Sequence, residues 1–198
     1  EEVSKVDASF GIAFSVTTSL YAGSVWNSDA TEEQKKAFLP EVLSGKALGS
    51  FGLTEPNAGS DAGGCITTAV KDGDEYVING LKCFNTNGPL AKYTAVYALT
   101  EPEKKSKGLA CFILDRENTA GVRTGKIENK MGIRTSNTCD VVLEDVRIPA
   151  SNLIGEEGKG FNIAMQTLDQ ARTWMGCVAT GIAQRGINEA IAYGKERV

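Results

Sequence analysis

Leu53-Thr54-Glu55-Pro56-Asn57-Ala58-Gly59-Ser60-Asp61 and, further along, Asn79-Gly80-Leu81-Lys82-Cys83-Phe84-Asn85-Thr86-Asn87-Gly88 are the two stretches whose reading decides the fold. The first ends an apolar run in a loop of small residues, where backbone N–H groups can approach an anionic ligand closely. In the second, Asn79-Gly80 suits a type I′ hairpin turn. It is followed by an aromatic, Phe84, and a hydroxyl, Thr86, two residues apart on one strand face, a pair that could touch a flat ring.

Around these stretches the apolar period is close to two. Tyr76–Ile78, Tyr93–Ala98, Leu109–Leu114 and Val141–Leu143 read as strands separated by Gly-, Asn- and Pro-containing turns, so the region from Leu48 to Ile148 is expected to be antiparallel sheet or barrel. Helical spacing flanks it. Val3, Val6, Phe10, Ala13, Phe14 and Thr17 predict one helix up to about Tyr21. Thr31 with Gln34 forms a capping-box pattern before a helix that Pro40 should bend and Ser44-Gly45 should stop. From Phe161 to Ile191 apolar residues keep helical spacing without a proline, which predicts one long helix. The chain has no internal repeat and no low-complexity tract.

Composition bounds the functions open to such a chain. Its 198 residues, 41% of them hydrophobic, are enough for one substantial core or two small ones. A net charge of −4 and a pI near 5.1 imply no general attraction to nucleic acid or to an anionic membrane. No apolar run suits a membrane span, and the first residues carry no secretory pattern. The five cysteines are odd in number and lack CxxC spacing, which favours reduced thiols over a zinc cluster and fits bacterial cytoplasm, our preferred compartment, or mitochondrial matrix. With no histidine present, Ser-His and Cys-His dyads within this chain are excluded.

The two opening stretches, in this order, resemble the middle domain of the acyl-CoA dehydrogenases, which desaturate acyl-CoA thioesters between the α and β carbons. Every fixed position of that family's LTEPxAGSD motif is present, and Phe84-Asn85-Thr86 stands where the family commonly has WIT after NGxK. Lys130-Met131-Gly132-Ile133-Arg134-Thr135-Ser136-Asn137-Thr138 is similar to its KMGxRxSxT segment, and Glu144–Pro149 to its FEDVxVP strand. Gly155–Phe161 with Leu168-Asp169-Gln170-Ala171-Arg172 resembles GEGxGF…LDxxR, so the likeness covers nearly the whole chain.

The resemblance implies an α+β protein with an antiparallel β-barrel domain over residues 48–152, the end of an N-terminal helical domain over 1–47, and the first helix of a C-terminal helical domain over 153–198. It implies FAD as cofactor, with Phe51, Leu53, Thr54, Gly59, Ser60, Phe84, Asn85 and Thr86 as cofactor-binding residues. An acyl-CoA is the implied substrate, with Ser60, Ser106, Asp169 and Arg172 as candidate contacts. The implied partners are an electron-transferring flavoprotein as acceptor and further copies in a homodimer or homotetramer. Phe84 lacks the area and indole N–H of the family's usual tryptophan, and Asn85 brings a polar group that needs a partner.

No catalytic residue is assigned within the chain. In most members the glutamate that takes the α-proton lies in the C-terminal domain, beyond Val198; in some it directly precedes the LDxxR arginine, where this chain has Ala171. Glu55 and Asp61 read as turn carboxylates that accept backbone hydrogen bonds, and Asp169 with Arg172, at i and i+3, would otherwise be an ordinary surface pair. Cys83, alternating with Phe84 across a strand, reads as a small buried hydrophobe. Gly155–Gly160 lacks the spacing of a nucleotide-triphosphate loop, and Glu101–Gly108 is expected to be a solvated loop. The same barrel also serves acyl-CoA oxidases and flavin monooxygenases, and a barrel module that binds flavin or a partner without turnover is the non-enzymatic alternative.

Overall fold

A computed structural model describes residues 1–197. The N-terminal segment forms α1 (Glu2–Val6), α2 (Ala8–Ser15), a π-helical turn (Val16–Tyr21) and α3 (Ala22–Trp26). The single helix expected here is therefore broken. Asp7 takes an extended conformation (φ −150°, ψ 121°) and its carboxylate accepts the Ser9 N–H at 2.6 Å, capping α2 and ending α1. Nor does the apolar spacing mark the packed face: Val3, Val6, Phe10 and Phe14 are exposed, while Ser4, Ser9, Gly11 and Ser15 are buried. Small residues win that face because α1 and α2 lie close against the long C-terminal helix, α6 (Gly160–Glu196). A Cβ added at Gly181 of α6 would sit 2.9 Å from the Ser4 Cβ.

The second helical signal behaves as read. α4 (Glu32–Phe38) has both halves of the Thr31–Gln34 capping box, Pro40 opens a separate turn of helix, α5 (Pro40–Leu43), and Gly45 follows it at φ +75°.

Among the described residues eight strands form one sheet: β1 (Gly49–Gly52), β2 (Thr68–Asp72), β3 (Glu75–Thr86), β4 (Tyr93–Leu99), β5 (Leu109–Asp115), β6 (Val122–Ile127), β7 (Thr138–Pro149) and β8 (Leu153–Ile154). Its order is β6-β7-β3-β2-β4-β5-β8, with β1 on β4. Most neighbours are antiparallel, but β1 and β2 meet β4 in parallel. β4 and β5 are buried on both faces, as their continuous apolar runs require. Tyr93, Ala95 and Tyr97 point to one core, shared with Tyr21, Val25 and Ile163 of the helices. Val96 and Ala98 point to the other, shared with Tyr76, Ile78, Phe112 and Val146 of the sheet.

The hairpin turn lies elsewhere than expected. Asp72 pairs with Glu75, so Gly73-Asp74 makes the two-residue turn between β2 and β3, with Gly73 at φ +61°. Asn79 and Gly80 are instead inside β3, at a register shift against β7, and Gly80 packs directly on the Thr67 side chain. A second shift falls between Lys82 and Asn85. It cancels the expected alternation of Cys83 and Phe84, which turn to the same side of the strand, towards one cavity.

Candidate functional site

The loop after β1 is built by short-range hydrogen bonds. Glu55 and Ala58 exchange backbone bonds of 3.0 and 3.1 Å, closing a turn over Pro56-Asn57, and Cys83 donates its N–H to the Thr54 carbonyl at 2.8 Å, tying the loop to β3. Beyond the turn the chain opens. A Cβ built on Gly59 meets nothing within 4 Å, and among the described residues the N–H groups of Gly59 and Ser60 donate to no protein acceptor. This is a stretch of free donors facing open space, suited to an anionic group.

Opposite the loop, the β3 bulge puts Phe84 at φ +56° with 64% of its surface exposed. An exposed aromatic in the left-handed region is a strained, unshielded element, the kind that a ligand completes. Thr86 follows on the same side, its carbonyl held by the Ser50 hydroxyl at 2.8 Å. Between them, Asn85 turns inward: it is fully buried, its Nδ2 donates to the Cys139 carbonyl at 3.3 Å, and its Oδ1 has no partner among the described residues.

A cavity of about 580 Å³ lies between loop and strand, within the usual range for cofactor and substrate pockets. Phe51, Leu53, Thr54, Gly59 and Ser60 line one wall, and Cys83, Phe84 and Thr86 another. Val16 and Leu20 of the π-helical turn and Met165, Leu168 and Arg172 of α6 complete it, with Ser106 at the rim. Its chemistry is mixed: aromatic and aliphatic surface for a flat ring or acyl chain, hydroxyls and amides for phosphate and carbonyl oxygens.

Asp61 and Arg172 are the charged residues lining the cavity among the described residues, and a further charged pair is buried behind the loop. The Glu55 carboxylate, expected as a turn acceptor, does accept the N–H groups of Ile66 (2.7 Å) and Thr67 (3.1 Å), but it also meets Lys82 Nζ at 2.6 Å in a buried ion pair. Burial would raise the Glu55 pKa, yet the Lys82 ammonium and those donors hold it below its ordinary value. Burial in turn pulls Lys82 down. The Cys83 thiol is pushed up to about 11 by burial and by Asp140 beside it, so it stays protonated.

Of the residues singled out in the sequence, Phe51, Leu53, Thr54, Gly59, Ser60, Phe84, Thr86, Ser106 and Arg172 meet around this cavity. Asn85 and Asp169 do not line it. Asp169 is exposed on α6 and holds Arg172 Nη1 at 2.6 Å. Sequence reasoning missed Cys83, whose turn to the cavity depends on the bulge, and Met165, which reads as core in a helical apolar pattern. It also missed the Lys82–Glu55 pair; the signal for it was a lysine at an inward strand position, a place where charge needs a partner.

The profile described as "Acyl-CoA dehydrogenase, middle domain" matches residues 50–146, with the N-terminal domain matching 1–46 and the C-terminal domain 158–198. The chain is 48% identical to the short-chain specific acyl-CoA dehydrogenase of Clostridium acetobutylicum, over all of this chain and 52% of that protein. The solved structure of butyryl-CoA dehydrogenase from Megasphaera elsdenii superimposes with a TM-score of 0.96 at 47% identity, covering 100% of this chain and 51% of that one. An acyl-CoA dehydrogenase complexed with FAD from Bacillus anthracis superimposes at 0.91 and 35% identity, covering 100% of this chain and 33% of that one. The chain spans about half the length of the curated relatives it matches.

Proposed function

Because this chain belongs to the acyl-CoA dehydrogenase family, we propose that its cavity holds FAD and an acyl-CoA thioester, and that the complete protein oxidises the α,β bond of a short-chain acyl group. The observation that carries this reading is the meeting of free Gly59 and Ser60 amides, exposed Phe84 and Thr86 around one cavity, as a dinucleotide with a flat ring requires. The fit is supported by the open space over Gly59, which a Cβ would fill.

Bound FAD would supply the acceptor for the hydride that leaves the β-carbon. The chain's own residues position the reactants. Ser60 and the loop amides would take phosphate oxygens, Phe84 would cover a ring face, and the Thr86 hydroxyl would donate at the ring edge. Leu168 and Val16 would exclude water from the reacting carbons, and Arg172, oriented by Asp169, would bind a phosphate or carbonyl group of CoA. Asn85 is proposed as a backbone contributor only, since its side chain is turned away.

The base that takes the α-proton is proposed to lie in the remainder of the protein. Ala171, at the helix position some members use, is buried and apolar, and Asp61 is the one carboxylate lining the cavity among the described residues. An electron-transferring flavoprotein is proposed as acceptor, and a homodimer or homotetramer as the working assembly, both by kinship with the family. The three matched regions suggest a division near 1–47, 48–152 and 153–198. No helix among the described residues is long and apolar enough to cross a membrane, and the bacterial relatives favour a bacterial cytoplasmic setting.

Anaerobic titration of the full-length flavoprotein with acyl-CoA thioesters of increasing length tests the proposal. Bleaching of the flavin by a short-chain thioester, with slow reoxidation in air, is the expected result. A flavin that no thioester reduces would remove the acyl-CoA reading, and rapid reoxidation in air would point to an oxidase.

A further inference from the structure

We propose that Lys82 and Glu55 form a positioning pair that sets the flavin loop before any ligand arrives. The inference rests on the FAD reading above and goes further in assigning a role to two residues that line no part of the cavity.

The pair joins three segments that are distant in sequence. Lys82, with no exposed surface, reaches from β3 to the Glu55 carboxylate at 2.6 Å and to the Leu53 carbonyl at 3.2 Å. Glu55, 3% exposed, receives Ile66 and Thr67 N–H from the segment entering β2. Leu53 is also held by the Cys65 thiol at 3.3 Å, and Thr54 by the Cys83 N–H. The back of the loop is thus saturated with bonds to β3 and to residues 65–67, while its front, at Thr54, Gly59 and Ser60, faces the cavity with free donors.

A buried ion pair is a weak choice for stability alone, since its desolvation offsets much of its attraction and apolar replacements of similar volume are often neutral. What an apolar pair could not do is hold the Leu53 carbonyl and two amides in fixed directions at once. Between them the Lys82 ammonium, at the Leu53 carbonyl, and the Glu55 carboxylate, at the Ile66 and Thr67 amides, do so. Fixing those atoms fixes the height of Thr54 over β3 and anchors the start of the segment that carries Ser60, so that flavin binding need not order the base of the loop.

Two measurements on the full-length protein test this. In the first, hydrogen exchange of the Ile66, Thr67 and Cys83 amides is compared between wild-type apoprotein and its FAD complex. Equal protection in both is expected; protection only with FAD would mean that the ligand orders the loop, and would overturn the proposal. In the second, the double variant Lys82→Met/Glu55→Gln removes both charges at nearly constant volume. Its apoprotein should melt within about 3 °C of wild type, while its Kd for FAD rises about tenfold or more. FAD affinity equal to wild type in the folded double variant would overturn the proposal, and if that variant does not fold the exchange comparison decides. A wild-type protein that binds no FAD would instead remove the functional reading itself.

Discussion

Gly160 at the start of α6 lies directly on the backbone of Ala110 in β5: a Cβ at Gly160 would be 2.5 Å from the Ala110 carbonyl carbon and 2.7 Å from its Cα. No side chain longer than hydrogen fits without moving one element. Because α6 carries Leu168 and Arg172 to the cavity, this contact sets how far that wall stands from Phe84 and Thr54.

Gly160→Ala should therefore act on stability and binding together. Overpacking of this kind costs about 1–3 kcal/mol, read as a lower urea midpoint, and the displaced helix should raise the Kd for acyl-CoA more than that for FAD. Isothermal titration with both ligands checks it; unchanged acyl-CoA affinity would show that the helix end yields without moving Arg172.

The capping box at α4 makes two claims of different size. Thr31→Ala removes one cap bond and should cost about 1 kcal/mol. Gln34→Ala should cost more, because the Gln34 amide also donates to the carbonyls of Ser151 and Leu153, each at 2.7 Å, and so fastens the helix to the approach to β8. Neither side chain lines the cavity, so reduction of the flavin by substrate should be unaffected in both. Denaturant melts ordered the other way round would mean that the long-range bonds contribute little.

Acid should loosen the loop after β1 through Glu55. Its folded pKa lies below the ordinary 4.5, so the folded state binds fewer protons than the unfolded one there, and the stability it contributes is complete above that value and lost as pH falls below it. Urea midpoints measured downward from pH 6 should fall on passing about 4.5, and Glu55→Gln should flatten that part of the profile. A variant profile parallel to wild type would assign the acid loss to other carboxylates.

Asn85 is expected to be replaceable. Its buried Oδ1 lacks a partner among the described residues, and its amide bond to Cys139 is long at 3.3 Å. Asn85→Val removes the unsatisfied acceptor and places a β-branched residue in a strand, so a gain of about 1 kcal/mol is expected in thermal melts, with FAD affinity retained. Loss of FAD binding would show that the side chain matters to the cavity.

Four of the strands, β3, β4, β5 and β7, and the long helix were legible because their signals are local and periodic: Tyr93–Ala98 and Leu109–Leu114 are largely apolar on both faces, and Phe161–Ile182 keeps one helical phase, whereas β1, β2, β6 and β8 were not read from the sequence. The Thr31–Gln34 box was legible for the same reason. The helix at the N-terminus was misread at Asp7, where an N-cap carboxylate outweighed a continuing apolar pattern. Asn79-Gly80 was misread as a turn, since Asp72-Gly73-Asp74-Glu75 competes for that role and the pairing of β3 with β7 chooses between them.

The sequence by itself determined the family, the two motif segments and nine residues that meet around the cavity, because these depend on residue identity along short stretches. Tertiary structure alone decided which way the residues of β3 face. The bulge between Lys82 and Asn85 sends Cys83 and Phe84 to the cavity and Asn85 inward, and leaves Lys82 buried against Glu55. One extra residue in a strand inverts every side chain beyond it, and whether it is inserted depends on the register of a partner strand that lies more than fifty positions away in the chain.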